Sequence, residues 1–104
     1  MAKKIIKGKK YDTETAEKIA RYSNEYPQSD FNFMCEELYR KKTGEFFLYG
    51  VGGASTQYSV ADEGGGYRGG EDLIPLTTED AKAWAENSID ADDYKKIFGS
   101  EDED

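Results

Sequence analysis

The chain has 104 residues, with 22 Asp and Glu against 14 Lys and Arg, no histidine and one cysteine, for a formal charge of −8. A length of this order holds one hydrophobic core and leaves no room for two. Lacking histidine and a second cysteine, the chain excludes Ser-His-Asp and Cys-His nucleophile systems, ordinary zinc sites and an internal disulfide, and no enzymatic activity or cofactor is expected.

Lys3 to Tyr11 reads as a short strand or hairpin, because Ile5 and Ile6 are β-branched and Gly8 supplies a turn. Asp12 and Thr13 then offer N-caps for a helix over 13–23, in which Ala16, Ile19 and Ala20 make one apolar stripe and Glu14 and Glu17 sit near the positive end. Residues 24–30, NEYPQSD, have loop composition. Two aromatic-rich runs follow, and the spacing predicts strands over 31–41 and 45–51, paired as a hairpin across Lys42, Thr43 and Gly44. Cys35, in the first of them, reads as buried packing.

Gly50 to Gly70 contains eight glycines, a composition costly to order, so a mobile loop is expected unless a partner fixes it. Only Thr56 to Val60 within it has strand character. Glu71 to Leu76 reads as a short strand whose Pro75 confines it to an edge or to its end. Thr77 opens a capping box with Asp80, predicting a helix over 78–87 with Ala81, Trp84 and Ala85 facing inward. Asp90 caps a last short helix that Gly99 ends, and the acidic tail 100–104 has nothing apolar to bury and is expected to be disordered. The order is thus β-α-β-β-(β)-β-α-α. It predicts an α+β domain over 1–99: a small antiparallel sheet of about four strands with two to three helices packed on one face.

The charge is unevenly spread. Residues 1–42 carry ten Lys and Arg against seven Asp and Glu, whereas residues 43–104 carry four against fifteen. An anionic surface repels nucleic acid and attracts basic protein grooves, including grooves built to hold nucleic acid. Glu71, Asp72, Glu79, Asp80, Glu86, Asp90, Asp92 and Asp93 are denser than solubility requires in so small a domain. With Tyr67 they form the candidate partner-binding set, against the alternative of an ordinary solvated face.

Three other constellations yield to plainer readings. GVGGAS after a strand has neither the Lys-Ser/Thr pair of a phosphate loop nor GxGxxG spacing. The acids Asp90, Asp92 and Asp93 lack the further carboxylates, central glycine and terminal glutamate of a calcium loop, and helix capping accounts for them. Lys3, Lys4, Lys7, Lys9 and Lys10 beside Tyr11 have the composition of a single-strand nucleic-acid patch, but lysine protection of an exposed edge explains them, and the overall field opposes a polyanion. No direct nucleic-acid partner is expected. Nor is a membrane partner: no apolar run approaches the roughly 18 to 20 residues that cross a bilayer, and Met1 to Lys7 lacks the apolar run of a signal peptide, so a cytoplasmic location is expected.

The blocks KKIIKGKKYDTETAEKIARYSN, EELYRKKTGEFFLYGVGGAS, DLIPLTTEDAKAWAE and DDYKKIFG together resemble a family of small proteins from mobile elements of Gram-positive bacteria. Members of that family, or proteins sharing its N-terminal module, include anti-CRISPR inhibitors of the type II RNA-guided nuclease. The resemblance implies a bacterial cytoplasmic inhibitor that binds the effector nuclease, or its guide-RNA complex, and blocks guide loading or target-DNA engagement. It carries no catalytic motif to transfer. The alternative is another interaction module of a mobile element, an adaptor or an antagonist of a different host defence.

Overall fold

The computed structural model describes residues 2–99; the acidic tail expected over 100–104 lies outside them. Strands β1 (Lys3–Ile6) and β2 (Lys9–Asp12) form a hairpin. Its turn residues Lys7 and Gly8 have φ of 52° and 80°. Positive φ at both central positions marks the turn whose twist matches that of the flanking strands.

The helix expected over 13–23 is not formed. Asp12 and Thr13 start a single turn, with the amides of Thr15 and Ala16 on the Asp12 carbonyl, and the chain then extends as β3 (Glu17–Ser23). The helix-like spacing comes from a β-bulge between Lys18 and Ala20. A bulge carries an extra residue on one strand, so the strict alternation of faces is broken. Ile19 and Ala20, adjacent in sequence, both pack against one core cluster and imitate a helical stripe.

Next come β4 (Met34–Arg40) and β5 (Phe46–Gly52), joined through Gly44 at φ 94°. β4 begins three residues later than expected, because residues 24–33 stay a loop in which the Asp30 carboxylate accepts from the Asn32 amide. The short hairpin β6 (Val60–Ala61) and β7 (Tyr67–Arg68) precedes β8 (Gly70–Leu76). Of the strand expected at 56–60, only Val60 is in a ladder. Helix α1 (Thr78–Ser88) starts where the Thr77 hydroxyl accepts from the Asp80 amide at 3.0 Å. Helix α2 (Ala91–Phe98) is capped by Asp90, which accepts from the Asp93 amide at 2.8 Å, and ends at Gly99.

The main sheet is antiparallel in the order β3-β4-β5-β8, so Pro75 lies in an edge strand as its missing N–H requires. Each face of this sheet is covered by a different layer. On one, Tyr39, Phe47 and Leu73 pack against Tyr11 and Ile6 of the N-terminal hairpin, with the Tyr39 and Phe47 rings stacked 5.1 Å apart. On the other, Leu38, Phe46 and Leu48 meet Ala81, Trp84 and Phe98 of the helices. The protein is therefore α+β in three layers: hairpin, four-stranded sheet, helix pair.

Candidate functional site

Layering separates the charges that the sequence places in different halves. The hairpin layer, residues 2–12, holds five lysines and one aspartate, while the helical layer, residues 77–99, holds six carboxylates and three lysines. The sheet lies between them.

Among the described residues, the ion pairs all belong to the sheet and the hairpin. Lys4 reaches Asp72 at 3.0 Å, and Lys9 and Lys41 hold Glu45 at 2.6 and 3.1 Å. Lys18 pairs with Glu37 at 3.1 Å. Donation from Lys9, then from Lys41 and Thr43, draws the Glu45 carboxyl down to about 2. No carboxylate of α1, α2 or their caps joins an ion pair among the described residues, so Glu79, Asp80, Glu86, Asp90, Asp92 and Asp93 are exposed without a cationic side-chain partner.

The nine expected site residues are all exposed, but they do not form one patch. Glu71 and Asp72 lie on β8 and are already engaged: Glu71 accepts from the Tyr49 hydroxyl, and Asp72 takes Lys4 and the Leu73 amide. Ala81 packs with Leu38 and Phe46 while Trp84 reaches Glu36, so α1 runs back toward the sheet end where Gly52 and Gly70 pair. Glu79 and Asp80 therefore occupy one end of the helical layer. Glu86, Asp90, Asp92 and Asp93 lie toward the other, and Phe98 brings α2 back to Phe46 at 5.6 Å. Tyr67 belongs to neither group; it stands on the β6–β7 hairpin. Three or more Cys, Asp or Glu side chains grouped to hold a metal ion do not occur among the described residues.

The glycine-rich segment is built into the fold rather than left as a loose loop, which corrects the sequence expectation. Gly50 and Gly52 are strand residues on the helical face of β5. A Cβ at Gly50 would collide with the hydroxyl end of the Tyr58 ring, and one at Gly52 with Thr56. Bare backbone lets residues 54–59 lie flat on the sheet, and Tyr58 is only 4% exposed. Its hydroxyl donates to Glu36, the one buried charged residue described, at 7% exposure. Glu36 also accepts from Trp84 Nε1 at 2.8 Å and Gln57 Nε2 at 3.4 Å. One carboxylate thus ties β4, the glycine segment and α1 together, satisfying the requirement that buried charge be hydrogen-bonded. Burial, then donation to Glu36, pushes the Tyr58 phenol well above its ordinary value.

Where this segment meets the loop 24–33, a groove of about 470 Å³ opens at the Gly52 and Gly70 end of the sheet. Its walls carry Phe31 and Tyr67, 69% and 67% exposed. Sequence reading placed Phe31 inside a strand and so missed it. No family model, curated protein or solved structure matches the chain.

Proposed function

We propose that this protein is a non-catalytic inhibitor that binds a type II CRISPR RNA-guided nuclease through its acidic helical layer and blocks guide-RNA loading or target-DNA engagement. The observation that carries the reading is the segregation of charge. Six carboxylates, on the two helices and the Asp90 cap, have no ion-pair partner among the described residues, while the hairpin on the opposite side of the sheet carries five lysines and one aspartate.

Carboxylates gathered at each end of the helical layer repel their neighbours in the free protein, and a cationic partner surface relieves that repulsion on binding. The effector channel that holds the guide-target heteroduplex is such a surface, shaped and charged for a polyanion. The likeness of the sequence blocks to the anti-CRISPR family points to the same partner. Helices capped at Thr77 and Asp90 and anchored by Ala81, Ala85 and Trp84 present the acids on rigid elements, which limits the entropy lost on docking.

An order-of-addition cleavage assay tests this. The protein is added to a type II effector before or after guide RNA, at low and high salt. Inhibition only when it is added first assigns the guide-loading surface; inhibition in both orders assigns the target-DNA step. Absence of inhibition across several effectors overturns the proposal and selects an adaptor, or an antagonist of another host defence, as the role.

A further inference from the structure

We infer that the groove between the loop 24–33 and the glycine segment receives an arginine-bearing loop of the protein partner, its guanidinium stacked on Phe31 and Tyr67. The inference deepens the functional reading and rests on it only for the identity of the partner.

Among the described residues, the three most exposed large apolar side chains are Phe31, Tyr67 and Ile5, and the first two line this groove together. Isolated exposed rings are ordinary, but a cluster around a concavity marks a contact site. Neither Phe31 nor Tyr67 takes part in a ring pair or a cation–π contact among the described residues, so their faces are open.

The groove is preformed. Its floor is glycine backbone in close contact with the walls: a Cβ at Gly53 would lie 2.5 Å from the Phe31 carbonyl oxygen, and one at Gly69 would lie 2.8 Å from that of Gly52. The Gly53 amide donates to the Phe33 carbonyl at 2.8 Å and the Ser55 amide to that of Phe31 at 2.9 Å, fixing one wall to the other. A volume of about 470 Å³ is in the range of sites that take one or two side chains of a partner or a small ligand.

Charge selects the occupant. Asp30 and Arg68 are the charged residues of the groove lining, and the segments around it add Glu25, Asp62 and Glu63, which leaves the surroundings net negative; none of these four carboxylates is ion-paired among the described residues. A polyanion is repelled there and a cation is drawn in. Between the two basic side chains, arginine fits better: its flat guanidinium stacks on a ring face while its edge donates two parallel hydrogen bonds to a carboxylate, which an ammonium cannot do.

The test is a titration of the full chain, followed by NMR at the Phe31 and Tyr67 ring signals, with three probes: a peptide alternating glycine and arginine, its lysine counterpart, and a single-stranded DNA oligonucleotide. Expected are shifts centred on the two rings, several-fold tighter binding of the arginine peptide than of the lysine one, and no response to DNA. The double variant Phe31→Ala with Tyr67→Ala should bind the arginine peptide roughly tenfold more weakly, with melting unchanged because both rings are exposed. Overturning results are equal arginine and lysine binding, shifts confined to the helices, a stronger response to DNA, or ring shifts that track the protein's own concentration, which would make a second copy the occupant. Nuclease inhibition is measured on the same variant. Arginine binding at the rings in a protein that inhibits no nuclease would sink the functional reading alone; inhibition without arginine binding would sink the groove alone.

Discussion

The ring of Tyr58 crosses the bare α-carbon of Gly50 to place its hydroxyl on Glu36. Filling that space should be costly. Gly50→Ala overpacks a closed site and is expected to lose about 1–3 kcal/mol, and Tyr58→Phe, which leaves a charged acceptor one donor short, about 1.5–3 kcal/mol. Because Gly50 and Tyr58 share one contact, Gly50→Ala combined with Tyr58→Ala should cost clearly less than Gly50→Ala and Tyr58→Ala made singly and summed. Urea unfolding of the four proteins measures this, and additive costs would show that the ring is not seated over Gly50.

Trp84 is the sole tryptophan and donates to the same carboxylate, which makes its fluorescence a reporter of the hub. Glu36→Gln replaces one acceptor oxygen by an NH₂ group that faces donors. The expected loss is about 2 kcal/mol, with a red shift of tryptophan emission as the indole contact loosens. Unchanged emission in a folded Glu36→Gln protein would contradict the assigned bond.

Acid should loosen the clamp at Glu45. Its carboxyl is held at about 2 in the fold, against an ordinary value near 4.5. A depressed value means that the contribution is complete above the ordinary value and is lost as pH falls from about 4.5 toward 2. The melting temperature of Glu45→Gln should therefore fall less steeply than that of the wild type over that window. Added salt should shrink the difference, because Lys9 and Glu45 meet in solvent.

At the alkaline end the sign reverses. Burial, followed by donation to carboxylates, raises Tyr39 through Glu37, Tyr49 to about 12 through Glu71, and Tyr58 through Glu36. Groups raised in the fold stabilise it fully below their ordinary value near 10, and that contribution is lost as pH climbs beyond it. Ultraviolet titration should find these three phenols, among eight, ionising only as the protein unfolds. A single ordinary transition for all eight, with the fold intact, would refute the assignment.

If the helical layer docks on a basic channel, neutralising Glu86, Asp92 and Asp93 together should weaken nuclease inhibition at least tenfold and flatten its salt dependence. Stability should change little, by about 0.5 kcal/mol for each acid near a helix start. Thermal melting beside the cleavage assay separates the two effects.

The paired aromatic strands, the edge strand with Pro75 and both C-terminal helices were legible because turn residues and caps act locally: Gly44, Thr77, Asp90 and Gly99 do in the fold what their chemistry predicts. Ile19 misled, because a bulge reproduces helical spacing over two residues and only the pairing with β4 distinguishes them. The glycine run misled for a related reason. Its residues are small to admit Tyr58 and Thr56, which lie eight and four positions away from the glycines they cover. The hub left one weak trace: two glutamates in succession within an apolar strand must face opposite sides, so one of them needs buried donors. The acidic set was found by composition, but its division between the two ends of the helical layer depends on tertiary packing that composition does not encode.

Gly52 and Gly70 are partners in the ladder between β5 and β8, so residues 53–69 are an insertion between two positions that already touch. Such an insertion can diversify among descendants of one scaffold while the strands on either side stay fixed, and it would be the natural place to graft a foreign recognition loop. The graft carries one condition. Tyr58 and Gln57 come from the insertion, so any replacement must bring its own donors to Glu36 or be accompanied by an apolar residue there, and recognition and folding cannot be redesigned separately in this protein.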